Sequence, residues 1–199
     1  MARSKSEFLS SLGTAFQIFK AISDQVLNLG GKDEDLRRVL SDQILAEKIA
    51  RLFIERNSEV FPVTVDYSQS LAQMIVAGKY NWVNPDITQE HFPITASGTV
   101  ELLPELVHFG KSMSTDDVLK ELDRRGFRPT TLPELLAFGT KFPEKQREFP
   151  VVSLGSVWAD SRGDRRVPVL DGYPSERGLD LYWVGRDWHV DCRFLVARK

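Results

Sequence analysis

The sequence predicts an α+β fold, in which an N-terminal helical hairpin (residues 1–57) precedes a larger mixed domain (residues 58–199). Up to residue 56, apolar side chains recur every three or four positions, as they do on one face of a helix. From residue 60 onwards, runs rich in β-branched and aromatic residues indicate strands, with further helices between them. Helices followed by mixed elements and closing strands are typical of the α+β class.

Two helices are predicted in the hairpin. The first runs from Ser6 to Leu29, and Gly30 and Gly31 end it because glycine accepts the left-handed backbone common at a helix C-terminus. The second runs from Asp33 to Arg56, and the acidic residues at its start suit the positive end of the helix dipole. The short glycine joint implies an antiparallel arrangement. We interpret the apolar stripes as a packing or oligomerisation surface.

The first half of the mixed domain contains both strands and a short helix. The predicted elements are a strand from Val60 to Val65, a helix from Ser68 to Ala77 ended by Gly78, and an extended segment from Tyr80 to Pro85. Another strand is predicted from Val100 to Phe109. Pro104 should confine it to a sheet edge or break it, because proline has no N–H for a ladder hydrogen bond.

Two helices and a group of strands follow. Ser114 supplies a hydroxyl N-cap for a helix that stops at Gly126. Thr131 opens the next helix, with Pro133 in its first turn, and Gly139 is predicted to end it. Beyond Pro143, the predicted strands lie within Phe149–Trp158, Arg166–Leu170, Gly178–Trp183 and Arg193–Arg198.

The composition excludes several classes of protein. Among the 199 residues, 42% are hydrophobic and 27% charged, and the net charge of −2 gives no general attraction to nucleic acid or membranes. The single cysteine, Cys192, excludes an intrachain disulfide and a metal site built on several thiolates. No apolar run approaches the ~18 residues of a membrane span, and no secretory signal is visible. We expect a protein that is cytoplasmic as synthesised, with display by another route left open, and no cofactor or metal.

The segment from Leu170 to Cys192 is crowded with the kinds of side chain that bind ligands. Tyr, Trp and Arg are enriched at binding hot spots, and Tyr with Ser and Gly is common in loop paratopes. We predict a solvent-facing binding surface here, with Trp183 and Trp188 as half-buried supports. The alternative is a merely solvated strand face. The predicted ligand-binding residues are Asp171, Tyr173, Asp180, Tyr182, Gly185, Arg186, Asp187, His189 and Asp191.

Two motifs carry a resemblance to a known fold. The segment Gly126–Leu136, GFRPTTLPELL, resembles a stretch of C-type-lectin-fold proteins related to formylglycine-generating enzymes. The ending Cys192–Arg198, CRFLVAR, resembles the final strand of the same fold. The tail between them is similar to the variable proteins of diversity-generating retroelements, in an archaeal or candidate-phylum branch. The resemblance implies a C-type-lectin-like domain at residues 58–199, with a variable region at about 170–193.

A codon argument agrees with this resemblance. Retroelement mutagenesis acts on adenines, mainly in AAC-type codons, and such codons cannot become Trp or Glu. Between Leu170 and Arg193, every residue lies in the reachable set except Glu176, Trp183 and Trp188. These three are therefore predicted to be fixed.

The resemblance implies a ligand-binding display protein that recognises varied partners, either proteins or other macromolecules and not nucleic acid. One alternative is an oligomeric scaffold that works through its N-terminal helices, which could pair between chains as a homo-oligomer. Another is an enzyme like the formylglycine-generating enzymes, which is disfavoured because only Cys192 is available for cysteine chemistry. His91, His108 and His189 lack the spacing of metal ligands.

A calcium site is a further alternative. Asp160, Asp164 and Asp171 could gather around a calcium ion, as carboxylates do in sugar-binding lectins. The EF-hand pattern is absent, however, and so is the Glu-Pro-Asn signature of those lectins. The sequence therefore favours binding without a metal.

Overall fold

The computed structural model describes residues 12–54, 59–173 and 175–199. The chain divides into two compact units, residues 1–57 and residues 58–199. Helices and a large mixed sheet make up the structure, which is consistent with the α+β class. The predicted helical residues 6–11 and 55–56 lie outside the described part of the chain.

The first unit contains three helices in its described part, not the two that the sequence predicts. They are α1 (Leu12–Asn28), α2 (Asp33–Ser41) and α3 (Gln43–Ile54). The predicted continuous second helix is wrong because Asp42 adopts an extended backbone, with φ −107° and ψ 96°. Its N–H donates to the Arg38 carbonyl, while its Oδ1 accepts the Leu45 N–H at 2.9 Å. Asp42 therefore ends one helix and caps the next.

The second unit places its helices around two sheets. The helices are α4 (Leu71–Gly78), α5 (Thr115–Arg124), α6 (Leu132–Lys141) and α7 (Lys145–Glu148). The strands are β1 (Val63–Asp66), β2 (Trp82–Val83), β3 (Thr99–Leu102), β4 (Glu105–Val107), β5 (Phe127–Pro129), β6 (Val151–Val152), β7 (Trp158–Ala159), β8 (Arg165–Tyr173), β9 (Glu176–Trp183) and β10 (Arg193–Arg198). Pro104 separates β3 from β4, so the predicted break is confirmed.

The larger sheet has the strand order β2-β9-β8-β6-β10-β4, with β5 paired to β10 and β7 paired to β8. Strands β8 and β9 form a long antiparallel hairpin, whereas β6 runs parallel to β10 and β2 runs parallel to β9. Strands β1 and β3 form a separate two-stranded sheet. Strand β10 contacts three neighbours, and its residues Phe194 to Ala197 are buried, which confirms the prediction of a core strand.

Apolar side chains cover both faces of the larger sheet, because successive residues of a strand point to opposite sides. One face packs Leu170, Leu179 and Leu195 against residues of α4 and α6. We call the other face the α5 face, because there Val169 and Phe194 share a core with residues of α5. Both faces of the β8–β9 hairpin thus pack against a buried core.

The ends of two helices are set by packing as well as by local signals. Ser114 caps α5 through its Oγ, which accepts the Asp117 N–H at 3.2 Å, as predicted. The prediction that Gly139 ends α6 is wrong, since the helix continues to Lys141. A Cβ atom at Gly139 would lie 2.5 Å from the Tyr80 hydroxyl oxygen. The glycine therefore allows close packing inside the helix.

Candidate binding surface

The connection between β9 and β10, residues 184–192, is a loop that is fixed to the sheet at several points; we call it the display loop. At its start, the Val184 N–H donates to the Arg165 carbonyl at 3.0 Å, and the Val184 carbonyl accepts the Thr115 hydroxyl at 2.8 Å. In its middle, the Trp188 N–H donates to the Met113 carbonyl at 2.8 Å. The loop backbone is thereby held against the start of α5 and the segment before it.

Trp188 anchors the display loop from inside. Only 4% of its surface is exposed, which is a deeper burial than the half-buried support predicted from the sequence. Its indole N–H donates to the Thr115 hydroxyl oxygen at 3.0 Å, and its ring meets Phe194 edge to face at 5.7 Å. Burial of a large aromatic ring with a satisfied N–H stabilises the position of the whole loop.

The side chains on either side of this anchor point outward. Arg186, Asp187, His189 and Asp191 are exposed, and so is Gly185. The His189 Nδ1 atom lies 3.1 Å from Asp191 Oδ2 at the surface. The display loop therefore presents a guanidinium, two carboxylates and an imidazole to solvent.

Trp183 belongs to this exposed surface. It is 39% exposed, so it lies more open than the half-buried support that the sequence predicts. The Arg186 guanidinium lies 5.3 Å from the centre of its ring, within the range of a cation–π interaction. A Cβ atom at Gly185 would lie 2.5 Å from the same ring. A side chain at Gly185 would consequently require the Trp183 ring to move.

The other predicted site residues lie on the β8–β9 hairpin. The strand register places Asp171, Asp180 and Tyr182 on the α5 face, beside Val167 and Val169. All three side chains are half-buried, which is more enclosed than the solvent-facing binding surface that the sequence predicts. The reason is that the register brings them next to the core of that face. Tyr173 is the last residue of β8, and its side chain lies outside the described part of the chain.

Hydrogen bonds join these half-buried side chains. The Tyr182 hydroxyl donates to Asp171 Oδ2 at 2.9 Å. The Asn84 side-chain amide donates to Asp180 Oδ1 at 2.8 Å, across 96 residues of sequence. Neither contact is visible from the sequence, because both depend on which strands become neighbours.

Burial and charge shift the pKa values of this group. Burial raises the pKa of Asp171, the Tyr182 hydrogen bond lowers it, and the nearby Asp180 carboxylate raises it. Burial and the charge of Asp171 raise the pKa of Tyr182. Burial also raises the pKa of the Cys192 thiol, which therefore stays protonated and is a poor nucleophile at neutral pH.

Sequence reasoning treated Trp82 and Asn84 only as part of an extended segment. In the structure, Trp82 is 51% exposed on the edge strand β2, and Asn84 bonds to Asp180. A signal was present in the sequence, since alternate residues of an extended segment share a face. The missing information was the pairing of β2 with β9.

No group of three or more His, Cys, Asp or Glu side chains that could hold a metal ion occurs in the described part of the chain. Asp160 lies in the turn between β7 and β8, where its Oδ1 accepts the N–H groups of Arg162 and Asp164 at 2.9 and 3.1 Å. Asp171 lies instead on the hairpin. The alternative in which Asp160, Asp164 and Asp171 surround one calcium ion is thus not supported by the geometry.

The histidines are also separate in space. His91 stacks on Trp158 at 4.3 Å, His108 Nε2 bonds to the Val190 carbonyl at 2.8 Å, and His189 lies on the display loop. Among the described residues, no helix combines the length and apolar character needed to cross a membrane. No family model, no curated protein and no solved structure matches this chain.

Proposed function

We propose that this protein is a ligand-binding display protein whose C-terminal surface is diversified by retroelement mutagenesis to recognise varied partners. One observation carries the proposal: the display loop combines exposed polar side chains with a backbone anchored by the buried Trp188. Loops on a rigid scaffold can change their side chains because those side chains contribute little to the core. The resemblance of the tail to retroelement variable proteins supports the same function.

Burial narrows the region that can vary. Among the side chains that the structure describes within residues 170–193, the buried ones are Leu170, Arg177, Leu179, Leu181, Trp188 and Cys192. Substitution there would open cavities or leave polar groups without partners, which costs more than a surface change. In our proposal these positions are fixed. The freely diversified positions are Arg186, Asp187, His189 and Asp191, with Gly185 restricted by the ring beside it.

The chemistry of the display loop suits a protein or another macromolecular ligand. Arg and aromatic residues are enriched in protein–protein interfaces, and Trp183 with Arg186 supplies such a pair at the surface. The two carboxylates of the loop, together with the net charge of −2, disfavour nucleic acid. The proposal therefore includes no nucleic-acid partner.

The retroelement part of the proposal is tested by the neighbouring DNA. We expect a reverse-transcriptase gene close by, with a near-repeat of the sequence that encodes residues 170–193. Differences between the two copies should fall on adenines and on codons for exposed positions. Differences that are as frequent at Leu179 and Leu181 as at Arg186 and Asp187 would contradict the proposal.

The binding part is tested by selection. A library of the full chain randomised at Arg186, Asp187, His189 and Asp191 is selected against several unrelated proteins. A matched library randomised at four exposed residues of α5, Asp116, Lys120, Asp123 and Arg124, is the control. We expect specific binders mainly from the display-loop library. Equal enrichment from both libraries would show that the loop has no special capacity to bind.

A second candidate function is an oligomeric scaffold, and one observation favours it. The helices of the first unit expose large apolar side chains, namely Phe16, Phe19, Leu27, Leu40 and Ile44. Such side chains can pair between chains. Light scattering of the full chain and of the double variant Phe16→Ser/Phe19→Ser tests this function, with Lys20→Ser as the control. A monomer in all three would contradict it.

A further inference from the structure

An exposed aromatic ring lies beside the half-buried carboxylates of the hairpin. Strand β2 pairs with β9 so that Trp82 is opposite Gly178, and β8 pairs with β9 so that Asp171 is opposite the same glycine. Residues opposite one another point to the same face of a sheet. Trp82 and Asp171 therefore flank Gly178 on the α5 face. The hydrogen bond from the Asn84 side chain to Asp180 is a second observation that agrees with this register. Asn84 lies two residues after Trp82, so both side chains point to the same face of the sheet.

Gly178 has no side chain and therefore leaves room for the Asp171 carboxylate between strands β8 and β9. A Cβ atom at this position would collide with Asp171 Oδ1, so the carboxylate occupies the space that a side chain would fill. Asp171 Oδ2 accepts the Tyr182 hydroxyl, and Asp180 Oδ1 accepts the Asn84 amide. These side chains, Trp82, Asn84, Asp171, Asp180 and Tyr182, form a surface that we call the hairpin patch.

The hairpin patch carries negative charge that the described part of the chain does not neutralise. Asp171 and Asp180 repel one another, and neither forms an ion pair with a basic side chain among the described residues. Their hydrogen-bond donors are all neutral: the Tyr182 phenol, the Asn84 side-chain amide and the Leu181 backbone N–H. Half-buried like charges are unfavourable unless a cation approaches them. The charge of this surface is thus complementary to a cationic ligand.

We infer that the hairpin patch binds the guanidinium group of an arginine side chain on a partner protein. The inference rests on the proposed function, since it names the partner chemistry of one part of the binding surface. A guanidinium is planar, donates several hydrogen bonds in a fixed fork and stacks on aromatic rings. Asp171 and Asp180 supply acceptors for the fork, while Trp82 supplies the exposed ring. A lysine ammonium offers charge without the planar fork.

This site differs from the display loop in one important respect. Trp82 and Asn84 lie far upstream of the segment 170–193, so cassette mutagenesis would leave them unchanged. Trp82 and Asn84 would therefore be a constant part of the contact, whereas Asp171, Asp180 and Tyr182 lie within the segment 170–193. Partners selected by different display loops should share an arginine at this contact wherever the variants retain Asp171 and Asp180.

The test is a titration of the full chain with Nα-acetyl-arginine amide, followed by NMR of the tryptophan indole N–H signals. The corresponding lysine and citrulline amides are the comparison ligands, because citrulline keeps the shape of arginine and removes its charge. We expect saturable shifts of the Trp82 signal with the arginine amide, binding at least about tenfold weaker with lysine, and none with citrulline. The signal is assigned with Trp82→Phe.

Variants locate the site. Asp171→Asn and Asp180→Asn should each weaken binding of the arginine amide at least about tenfold, and Trp82→Ala should also weaken it. Asp116→Asn, which removes an exposed carboxylate from α5, should leave it unchanged. Thermal melting shows whether each variant remains folded. Trp82→Ala removes an exposed side chain and leaves the core side chains unchanged.

Three outcomes overturn the inference: no binding of the arginine amide, equal binding of citrulline and arginine amides, or unchanged arginine binding in Asp171→Asn, Asp180→Asn and Trp82→Ala. The proposed function can fail separately. If the display-loop library yields binders while the arginine amide does not bind, only the inference is wrong. If the arginine amide binds the hairpin patch while the loop library yields no binders, the display function is wrong and the patch remains a guanidinium site.

Discussion

The Arg177 Nε–H donates a hydrogen bond to Gln146 Oε1 at 3.1 Å, and both side chains are almost wholly buried, with 6% and 1% of their surface exposed. The Gln146 amide nitrogen in turn donates to the carbonyl oxygens of Asp171 and Gly178, one on each strand of the β8–β9 hairpin. This pair therefore fixes the turn end of the hairpin to α7, and with it the strands that carry the hairpin patch.

Among the described residues, no carboxylate accepts a hydrogen bond from the Arg177 side chain. Its two terminal nitrogens donate to the carbonyl oxygens of Gly78 and Gly139, in the last turns of α4 and α6. Helix C-termini carry partial negative charge, which favours a cation there. Its guanidinium also lies over the Tyr80 ring at 4.9 Å. Burial lowers the pKa of Arg177, but arginine stays charged in proteins, so these contacts are needed.

Replacing Arg177 by alanine should destabilise the protein strongly. The change leaves two helix carbonyls and the Gln146 side chain without their buried donor, and a lost hydrogen bond to a charged group costs ~1.5–3 kcal/mol. We expect the free energy of unfolding to fall by about 3 kcal/mol or more in urea titrations. Arg186→Ala, at an exposed position of the display loop, should change it by less than ~0.5 kcal/mol. Equal effects of the two changes would show that the buried contacts contribute little.

Gly139→Ala should destabilise the protein, although alanine is the better helix former. Helix propensity alone favours alanine by ~1 kcal/mol inside a helix. The added methyl group, however, would meet the Tyr80 hydroxyl at 2.5 Å and Leu170 Cδ1 at 2.7 Å, and overpacking a core costs ~1–3 kcal/mol. Thr140→Ala, at the exposed neighbouring position, is the control. If thermal melting shows Gly139→Ala to be more stable than the wild type, the packing argument fails.

Local signals predicted most elements of the second unit. The Ser114 cap, the break at Pro104 and the apolar run of β10 each depend on neighbouring residues, and each is present in the structure. The break at Asp42 was missed because helix periodicity continues through it, while a single side chain caps the following helix. Gly139 was misread because its role depends on Tyr80, which is distant in sequence.

The candidate site was predictable in part. The display loop carries its signal locally, as exposed charged residues around one large aromatic anchor. The half-burial of Asp171, Asp180 and Tyr182 follows from strand register, and composition does not reveal register. Arg177 reads as one more polar residue of the tail, and only its position against two helix ends shows why it is buried.

The stability contributed by Asp171 should depend on pH. Its folded pKa is raised, chiefly by burial, above the unfolded value of ~3.9, so the folded state holds the proton more tightly. Stability from this group is then greatest below the unfolded pKa and falls as pH rises through the folded pKa. Asp171→Asn removes this dependence, since asparagine does not titrate.

The measurement is the difference in unfolding free energy between Asp171→Asn and the wild type, in urea, at several pH values upward from ~3. The variant should gain stability relative to the wild type as pH rises, and the difference should level off above the folded pKa of Asp171. The opposite slope would mean that the folded protein favours the charged carboxylate. Arginine amide at high concentration should reduce the stability that Asp171→Asn gains over the wild type, because a bound guanidinium favours the charged Asp171 carboxylate of the wild type.

The display loop should tolerate substitution at its exposed charged positions and not at its anchor, Trp188. Trp188→Ala removes a buried ring together with its hydrogen bond to Thr115, and such large-to-small changes cost ~3–5 kcal/mol. Arg186→Ala, Asp187→Ala, His189→Ala and Asp191→Ala alter exposed side chains and should each cost less than ~0.5 kcal/mol. Tyr182→Ala, at a half-buried and hydrogen-bonded position, should lie between these groups. Thermal melting of the six variants measures this order of stability loss. If the alanine variants at the four exposed positions lose as much stability as Trp188→Ala, the loop is structural core and cannot be diversified.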